Sequence, residues 1–525
     1  MKLFLLNFVL PFFFMAFSAQ AAPVTQFAAL CYHDISNGFV GNSFSLRKKD
    51  LVTQFDYLKA HYNVVSLQEL REASAGKKGI PEKAVLLTFD DGLESFYENV
   101  FPLLKEYKFK AVFAVVGKWI DDGQAPDYGF KDSNPKMTTW AQLKEMSDSG
   151  LVEVVSHSYN LHQGQVFNPQ GNQAAMAGYL KYDSTTKKYQ SDSEFSEIVL
   201  TDLKKNNELL KKHLGKDNTV MVWPYGKSNG LSNKAAEQAG INIQMSLRPG
   251  LNSIHNLADI GRGLMMSYID STQFAAALEQ AFVDPAPVRM IRVDLDGLWQ
   301  KDEDRTEQHL GDLLESVLAL SPNFALVQAM SSSGDAYFVN SEFKIRGDYF
   351  SRAAHTIKNR ARVTYIYARL PQVFLKNPEK AKTALMDLAK YTDIDGVFFE
   401  VSTKEKLNEN LFESLITAGR SIRPHLNFGL IGHTPPKAGL FDEVILTPQK
   451  LQKDKALWSD SHKMPARLIV ALPKDYNMPA SHQLAMGHSN LYLDVNFLNF
   501  SADADFKSIF YVEQNPPQHS KGEAK

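Results

Sequence analysis

The feature that most restricts the fold of this chain is a regular alternation of short apolar runs with longer amphipathic stretches. Runs rich in Val, Leu and Phe, a composition typical of buried strands, lie at 27–32, 84–89, 111–117, 151–155 and 220–223. Stretches with helical spacing separate them, the longest from Glu194 to Leu214. This alternation predicts a parallel sheet covered by helices, either open or closed into a barrel. The polar segment from Asn168 to Gln190 is interpreted as an inserted loop.

The alternation restarts after Pro285-Ala286-Pro287, which indicates that the 525 residues divide near this point into two domains. Apolar runs in the second part lie at 290–295, 324–329, 363–367, 396–400, 428–431, 443–446 and 468–472. Seven or so strands at this spacing predict a second (β/α) barrel. We expect it to be truncated, because residues 286–513 supply only about 230 positions, against about 250 in a typical barrel of this kind. Residues 514–525 are predicted to be a disordered tail.

Polar side chains suited to a metal ion follow two of the predicted strands. Asp90 and Asp91 follow one apolar run, and His157 follows another, with His162 five residues later. One carboxylate and two imidazoles form a facial set that suits Zn²⁺ or a similar divalent ion and leaves positions open for water. The second aspartate is then available to act on that water. Each motif alone is weak, since such groups are often solvated strand ends, but together they favour a metal site.

The first residues resemble a secretory signal. Lys2 precedes a short apolar core that runs from Leu3 to Phe17, and an Ala-x-Ala site follows, so we expect residues 1–21 to be cleaved near Ala21. Lipid attachment at Cys31 is disfavoured because Leu30 is bulky where a small residue is expected. We therefore expect a periplasmic or secreted protein without a transmembrane segment after cleavage.

The overall charge argues against nucleic acid as a partner. The 57 Lys and Arg residues nearly balance the 59 Asp and Glu residues, so no net positive field would hold a polyanion. The single cysteine, Cys31, excludes an intramolecular disulfide framework and a metal site built from several cysteines.

These motifs occur in the order used by the polysaccharide deacetylase family, carbohydrate esterase family 4. The resemblance covers residues 27–281 and includes Cys31-Tyr32-His33-Asp34 and the turn Trp223-Pro224-Tyr225-Gly226. The five-residue histidine spacing, the early His33 and the second domain resemble the subgroup that deacetylates poly-β-1,6-N-acetylglucosamine. The resemblance implies a distorted (β/α) barrel at 22–285, followed by a glycoside-hydrolase-like, sugar-binding barrel at 286–513.

The resemblance also implies roles for individual residues. The expected metal ligands are Asp91, His157 and His162, with Zn²⁺ as the first choice of ion and Ni²⁺, Co²⁺ or Fe²⁺ as alternatives. Asp90 would be the general base, and His33 would donate a proton to the departing amine. The backbone N–H of Tyr225 would stabilise the oxyanion together with the metal.

Two tryptophans are candidates for sugar contacts, because aromatic faces pack on pyranose rings. They are Trp119 and Trp140, although a tryptophan near a strand end is more often part of the core. In the second domain, Glu400 is the only carboxylate at the end of its predicted strand, where the subgroup tends to show an aspartate pair. We therefore favour polymer binding over hydrolysis for this barrel.

The sequence also departs from the family pattern. Val222 occupies the position where most members carry an arginine that orients the base, and Met265-Met266 replace a late histidine. These departures predict a loosely held base and a slow enzyme. All proposed metal and base residues precede Pro285, so we expect the first domain to act alone on short oligomers.

The function predicted from the sequence is metal-dependent hydrolytic N-deacetylation of poly-β-1,6-N-acetylglucosamine for biofilm matrix export, with an outer-membrane export protein as a candidate partner. One alternative is a deacetylase of chitin oligosaccharides or peptidoglycan, because the metal and base motifs do not set the glycosidic linkage. A second alternative is a polysaccharide-binding export factor without catalytic activity, although the intact Asp90, Asp91, His157 and His162 argue against a decayed site.

Overall fold

The computed structural model describes residues 24–38, 43–126, 135–248, 250–267, 269, 271–282, 287–300, 302–402, 406–435, 437, 439–453, 466–472, 490–494, 507 and 510. The predicted signal segment, the tail at 514–525 and residues 283–286 at the expected domain boundary lie outside these ranges. Across the ranges that are described, no helix has the length and apolarity that crossing a membrane would require.

The first half of the chain is an α/β unit built on a nine-stranded sheet with the order β13-β12-β7-β6-β5-β1-β14, in which β15 pairs with β1 and β4 with β5. The strands of this half are β1 (Gln26–Tyr32), β2 (Asp34–Ser36), β3 (Ser45–Arg47), β4 (Asn63–Val65), β5 (Ala84–Phe89), β6 (Ala111–Val115), β7 (Val152–Ser156), β8 (Gly164–Val166), β9 (Gln173–Ala175), β10 (Tyr182–Asp183), β11 (Lys188–Tyr189), β12 (Val220–Val222), β13 (Ile243–Met245), β14 (Asn252–Ser253) and β15 (Gly263–Leu264). The helices are α1 (Lys48–His61), α2 (Leu67–Ser74), α3 (Phe101–Tyr107), α4 (Gly117–Asp122), α5 (Trp140–Asp148), α6 (Asp192–Leu214), α7 (Gly230–Gln238) and α8 (Ser271–Phe282).

Apolar runs become central strands here because both faces of the sheet are buried in apolar clusters. Every residue of β5 is buried, which is why its sequence is continuously apolar rather than alternating. Its neighbours β1 and β6 run parallel to it, so the carboxyl ends of the three strands meet at one edge. The predicted site residues that follow β1, β5 and β7 therefore come together at this edge.

One short segment brings the two margins of the sheet together. Ile260 forms a bridge to Met245 at the end of β13, and three residues later Gly263 pairs with Leu30 of β1. The sheet is thereby curved into a distorted, incompletely hydrogen-bonded barrel, in agreement with the predicted fold. The segment between these two pairings carries Arg262.

The second half is a parallel barrel of strands surrounded by helices, as predicted. Its strands are β16 (Arg289–Val293), β17 (Phe324–Gln328), β18 (Tyr365–Pro371), β19 (Gly396–Glu400), β20 (Asn427–Ile431), β21 (Glu443–Leu446), β22 (Arg467–Ala471) and β23 (Leu491–Leu493). The helices are α9 (Leu295–Leu298), α10 (Glu303–Leu320), α11 (Phe350–Arg360), α12 (Pro378–Tyr391), α13 (Glu409–Ile422) and α14 (Pro448–Lys453).

The expectation that this barrel is truncated is wrong for its strands, because the circle is closed. β16 pairs with β23 through Met290 and Tyr492, and β23 in turn pairs with β22. β23 has only three residues, too few for a recognisable strand pattern, and the sequence therefore indicated seven strands. The shorter length of this domain is therefore not the result of a missing strand.

The predicted inserted loop is more ordered than expected and lies against the barrel. It contains the hairpin β10–β11 and, with β8 before it, the hairpin β8–β9. Gln170 donates hydrogen bonds to Asp348, and the ring of Tyr189 contacts that of Tyr391 at 4.4 Å between centroids. The insertion therefore forms part of the contact between the two halves.

Candidate metal centre

Asp90 and Asp91 leave the end of β5 through a tight turn. Asp91 and Gly92 both have left-handed backbone conformations, with φ of 79° and 85°. A Cβ at position 92 would also lie 2.9 Å from a side-chain carbon of Ile120, so only glycine fits this position without displacement. The turn leaves both carboxylates almost completely buried, with exposures of 2% for Asp90 and 1% for Asp91.

Two imidazoles converge on the carboxylate of Asp91. The Nε2 atom of His157 lies 3.4 Å from Asp91 Oδ1, and the Nε2 atom of His162 lies 3.3 Å from the same oxygen. One ligand atom from each of the three side chains lies within 4.8 Å of the others. The structure therefore brings together the three predicted metal ligands.

A backbone contact orients His157 for this role. Its Nδ1 atom lies 2.6 Å from the carbonyl oxygen of Val222, at the end of β12. A carbonyl only accepts, so we assign the N–H to Nδ1, and Nε2 is left to face Asp91. Val222 thus contributes its main chain to the site.

The loop that carries His162 is held by helix α6. The carboxylate of Asp202 accepts hydrogen bonds from the backbone N–H groups of Tyr159 and Asn160, at 2.8 and 2.7 Å. Ser158, with a φ of 73°, accepts a further bond from Leu161 N–H at 3.0 Å. Burial raises the pKa of Asp202 to about 6 although both backbone bonds lower it. These contacts hold the backbone of the loop between His157 and His162 in one shape.

The donor set fits a divalent ion. Burial would raise the pKa of Asp91, but its contacts with His157 and His162, together with the neighbouring His33, outweigh burial and hold this pKa well below its ordinary value. Asp91 is therefore a carboxylate at neutral pH. A buried carboxylate between two imidazole nitrogens matches the ligand types of catalytic Zn²⁺ sites and those of similar ions.

The neighbouring carboxylate, Asp90, is held by Arg262. The guanidinium donates from Nη1 to Oδ1 at 2.7 Å and from Nη2 to Oδ2 at 2.9 Å, and its side chain is fully buried. It also donates to Thr88 Oγ1 at 2.9 Å and to the Ser246 carbonyl at 3.1 Å. Burial would raise the pKa of Asp90, but the charge and hydrogen bonds of Arg262, together with the nearby His157 and His33, outweigh burial and lower this pKa.

The expectation of a loosely held base is therefore wrong. The family pattern expects the arginine at position 222, which is Val222 here, whereas the structure supplies Arg262 from the segment that closes the sheet. A signal was present in the sequence, because Arg262 lies between two glycines within an apolar stretch, Ile260 to Met266. A cation in such surroundings indicates a buried partner.

Cys31 and His33 are also neighbours of Asp90. The thiol of Cys31 donates to Asp90 Oδ2 at 3.4 Å, and a ligand atom of His33 lies within 4.8 Å of both residues. His33 Nδ1 is buried and makes no hydrogen bond within the described part of the chain. Burial lowers the pKa of His33, although the charges of Asp91 and Asp90 raise it. The proximity is compatible with the predicted proton transfer, which stays a prediction.

Tyr225 and Trp119 enclose His162. The ring centroids of Tyr225 and Trp119 lie 4.5 and 4.7 Å from that of His162, and Tyr225 has a left-handed backbone with a φ of 57°. Trp119 is only 3% exposed. It therefore supports the imidazole, and the structure does not present it as an open platform for a sugar.

Trp140 is partly covered by neighbouring side chains. Trp140 stacks on His213 at 4.4 Å and donates its indole N–H to Asp121 at 3.0 Å, so one face is covered.

Glu400, at the end of β19, accepts a hydrogen bond from Arg369 at 2.6 Å. Arg369 also donates to Asp294, which follows β16, so two carboxylates flank one cation at the mouth of the second barrel.

Two families match separate parts of the chain. The polysaccharide deacetylase family matches residues 77–243, a range that contains Asp90, Asp91, His157 and His162. The family described as hypothetical glycosyl hydrolase family 13 matches residues 292–407, within the second barrel.

Among curated proteins, the poly-β-1,6-N-acetyl-D-glucosamine N-deacetylase of Escherichia coli K12 is 31% identical over 363 residues, which are 67% of this chain and 54% of that protein. The chain thus spans about half the length of this relative. The Staphylococcus aureus protein of the same name is 28% identical over 207 residues, covering 39% of this chain and 62% of that protein.

Two solved structures match parts of the chain. A de-N-acetylase from Aggregatibacter actinomycetemcomitans is 31% identical, with a TM-score of 0.44, and the match covers 48% of this chain and 99% of that one. A glycoside hydrolase domain from Bordetella bronchiseptica is 15% identical, with a TM-score of 0.34, and covers 43% of this chain and 96% of that one.

Proposed function

This chain belongs to the polysaccharide deacetylase family, and we propose that it is a metal-dependent N-deacetylase of a β-linked N-acetylglucosamine exopolysaccharide. The observation that carries the proposal is the arrangement of two adjacent buried aspartates with separate partners. Asp91 faces two imidazoles, whereas Asp90 is paired with Arg262. Such a pair divides the roles of ligand and base between neighbouring residues.

In this proposal Asp90 removes the proton from the attacking water. Its pairing with Arg262 keeps it ionised and fixes its orientation, which are both requirements of a general base. Asp91, His157 and His162 would hold a divalent ion, which when bound polarises the acetamide carbonyl and promotes attack by water.

The departing amine needs a proton, and His33 is the proposed donor. Its imidazole lies next to Asp90, so the proton taken from water could pass to the amine over a short path. The backbone N–H of Tyr225, in the turn beside His162, is the proposed donor to the developing oxyanion. The ring of Tyr225 would then cover one side of the acetamide.

For the second barrel we propose polymer binding. Asp294 and Glu400 remain partly exposed, at 40% and 41% of their side chains, and both are tied to the buried Arg369. Charged groups fixed at a barrel mouth suit hydrogen bonds to sugar hydroxyls and amines. A free acid for glycoside hydrolysis is less consistent with this pairing.

The proposed setting is biofilm matrix export from the periplasm. The signal-like residues 1–21 and the relatives named as poly-β-1,6-N-acetyl-D-glucosamine N-deacetylases support it. We propose domains at 22–285 and 286–513, and an outer-membrane export protein as a partner of the polymer-loaded protein.

The test is acetate release by the purified chain from poly-β-1,6-N-acetylglucosamine, chitin oligosaccharides and peptidoglycan, each with and without a chelator. We expect release from the β-1,6 polymer, its loss with the chelator and its recovery with Zn²⁺, Ni²⁺, Co²⁺ or Fe²⁺. The double replacement of His157 and His162 by Ala should lose both metal and activity. Preference for another polymer would change the proposed substrate, and no release with any ion would indicate a binding protein instead.

A further inference from the structure

The two segments that shape the proposed site both lead directly to the surface of the second barrel. The first is the turn from Trp223 to Asn229, which contains Tyr225 and follows the Val222 carbonyl that orients His157. The second is the segment from Asp259 to Gly263, which contains Arg262. Neither segment contributes a metal ligand, but each fixes a residue of the site.

The first segment ends in direct contact with helix α13 of the barrel. A Cβ built on Gly230, the first residue of α7, would lie 1.9 Å from the carbonyl oxygen of Ser421. Ordinary van der Waals contacts of a Cβ begin at 3.4 Å. The two backbones are therefore in direct contact, and only glycine permits the observed distance.

Hydrogen bonds also connect the end of this turn to the barrel. The carbonyl of Gly178 accepts hydrogen bonds from Asn229 at 3.1 Å and from Arg423 of the barrel at 3.4 Å. The guanidinium of Arg423 lies 4.2 Å from the ring centroid of Tyr179, whose hydroxyl donates to Asp393 at the entry to β19. One carbonyl thus connects the active-site turn with the barrel.

The second segment makes its own contact with the barrel. The Nε2 atom of His425 lies 3.1 Å from Asp259 Oδ1, and Arg248 lies 3.5 Å from the other carboxylate oxygen. Asp259 directly precedes Ile260, the residue that bridges to β13, and Arg262 follows two positions later. The His425 contact is therefore placed to hold the segment that presents Arg262 to Asp90.

We propose that the barrel surface formed by Asp393, Ser421, Arg423 and His425 is a positioning element of the deacetylase site, which it holds through the Tyr225 turn and the Arg262 segment. This inference rests on the proposed function and extends it, because the barrel then contributes to turnover even on substrates too short to reach its mouth. It replaces the expectation that the first domain acts alone.

The central test is Gly230→Ala in the full-length chain. Alanine suits a helix better than glycine, so α7 itself is not weakened, whereas the added methyl group must push Ser421 away by more than an ångström. We expect kcat on a short N-acetylglucosamine oligomer to fall by about tenfold or more, with bound metal retained and KM little changed. The matched control is Gly311→Ala in α10, where a Cβ would meet nothing within 4 Å.

The absorption spectrum of the Co²⁺-loaded protein provides a readout that does not depend on turnover. Displacement of the Tyr225 turn and of the Val222 carbonyl should change the ligand geometry at His157 and His162. We expect a shifted spectrum in Gly230→Ala and an unchanged one in Gly311→Ala. If the wild type released no acetate from any polymer, the proposed function would fail, and this spectrum would still decide the positioning role.

A second variant covers the case in which Gly230→Ala does not fold. His425 is 39% exposed, so His425→Ala should leave folding intact. We expect it to lower kcat several-fold, and His425→Gln, which can still donate to Asp259, to recover most of the loss. Wild-type kcat and Co²⁺ spectra in His425→Ala and in any folded Gly230→Ala would overturn the inference.

Discussion

A buried carboxylate stays charged only if nearby donors or cations compensate its lost hydration, and Asp90 and Asp91 meet this requirement in different ways. Asp91 faces two imidazoles, so its surroundings offer the ligands that a divalent cation requires. Asp90 depends on a fully buried guanidinium, so its surroundings keep an unbound carboxylate in one orientation. The sequence predicts the two aspartates because they are adjacent, but Arg262 lies 172 residues from Asp90 and contacts it only after the sheet has closed.

Replacement of Asp90 by Asn should separate chemistry from metal binding. Asp91, His157 and His162 are untouched, so metal content, measured by elemental analysis, should stay at the wild-type value. Acetate release should fall by about 10²–10⁴-fold, the usual contribution of a general base. The control is Asp56→Asn on the surface of α1, and undiminished turnover in Asp90→Asn would place the base elsewhere.

Replacement of Arg262 by Met should expose the role of the guanidinium in the pH dependence. Without it, burial dominates and the pKa of Asp90 rises, so the acidic limb of the kcat/KM profile should move to higher pH. Loss of one partner from a buried pair should also lower the free energy of unfolding by about 3–5 kcal/mol. Arg305→Met at an exposed site on α10 is the control, and an unshifted profile would show that Arg262 does not set the protonation of the base.

At the scale of elements, periodicity identified the long central strands and the helices between them, because burial on both faces leaves a strong sequence signal. The histidine loop was not predictable in the same way. Its shape depends on Asp202, which lies in α6, more than 40 residues beyond the loop along the chain. In the sequence this aspartate belongs to a helix with many charged residues, a pattern typical of a solvent-exposed surface. The folded structure is needed to show that its carboxylate faces the loop.

Replacement of Asp202 by Asn should loosen that loop. An amide has one oxygen to accept hydrogen bonds where the carboxylate uses two, so the N–H groups of Tyr159 and Asn160 cannot both be satisfied as before. Metal affinity should fall by about 10–100-fold, as for other residues that orient ligands. Titration with Co²⁺ measures this, and Glu208→Gln on the exposed side of the same helix is the control. Equal affinities in both variants would contradict the role given to Asp202.

At the scale of the whole molecule, the sequence predicts two α/β units but not how they depend on each other. Some of the contacts between them involve residues that are unremarkable in the sequence, such as Gly178, Gly230 and Ser421, which take part through their backbones. Backbone contacts leave no pattern of hydrophobicity or charge. The barrel closure was missed for a related reason, since the three residues of β23 are defined by their neighbours and not by their own periodicity.

The stability of the whole chain should depend on pH through Glu443 in the second barrel. Burial raises the pKa of this carboxyl to about 7, with Arg467 at 3.9 Å as a partly compensating cation, and its Oε2 atom has no hydrogen-bond partner among the described residues. The folded pKa lies above the ordinary value of 4.5. The folded state therefore holds this proton more tightly, and the contribution of Glu443 to stability is greatest below pH 4.5 and is lost as the pH rises through about 7.

The resulting difference in the free energy of unfolding between acidic and alkaline conditions is on the order of 3 kcal/mol from this group. Glu443→Gln keeps the size and an acceptor but cannot ionise, so we expect it to resemble the wild type at pH 5 and to be more stable at pH 8. Thermal unfolding of the full-length chain at the two pH values measures the effect. Glu413→Gln, on the surface of α13 in the same barrel, is the control. A pH dependence that persisted unchanged in Glu443→Gln would show that the proton is bound elsewhere.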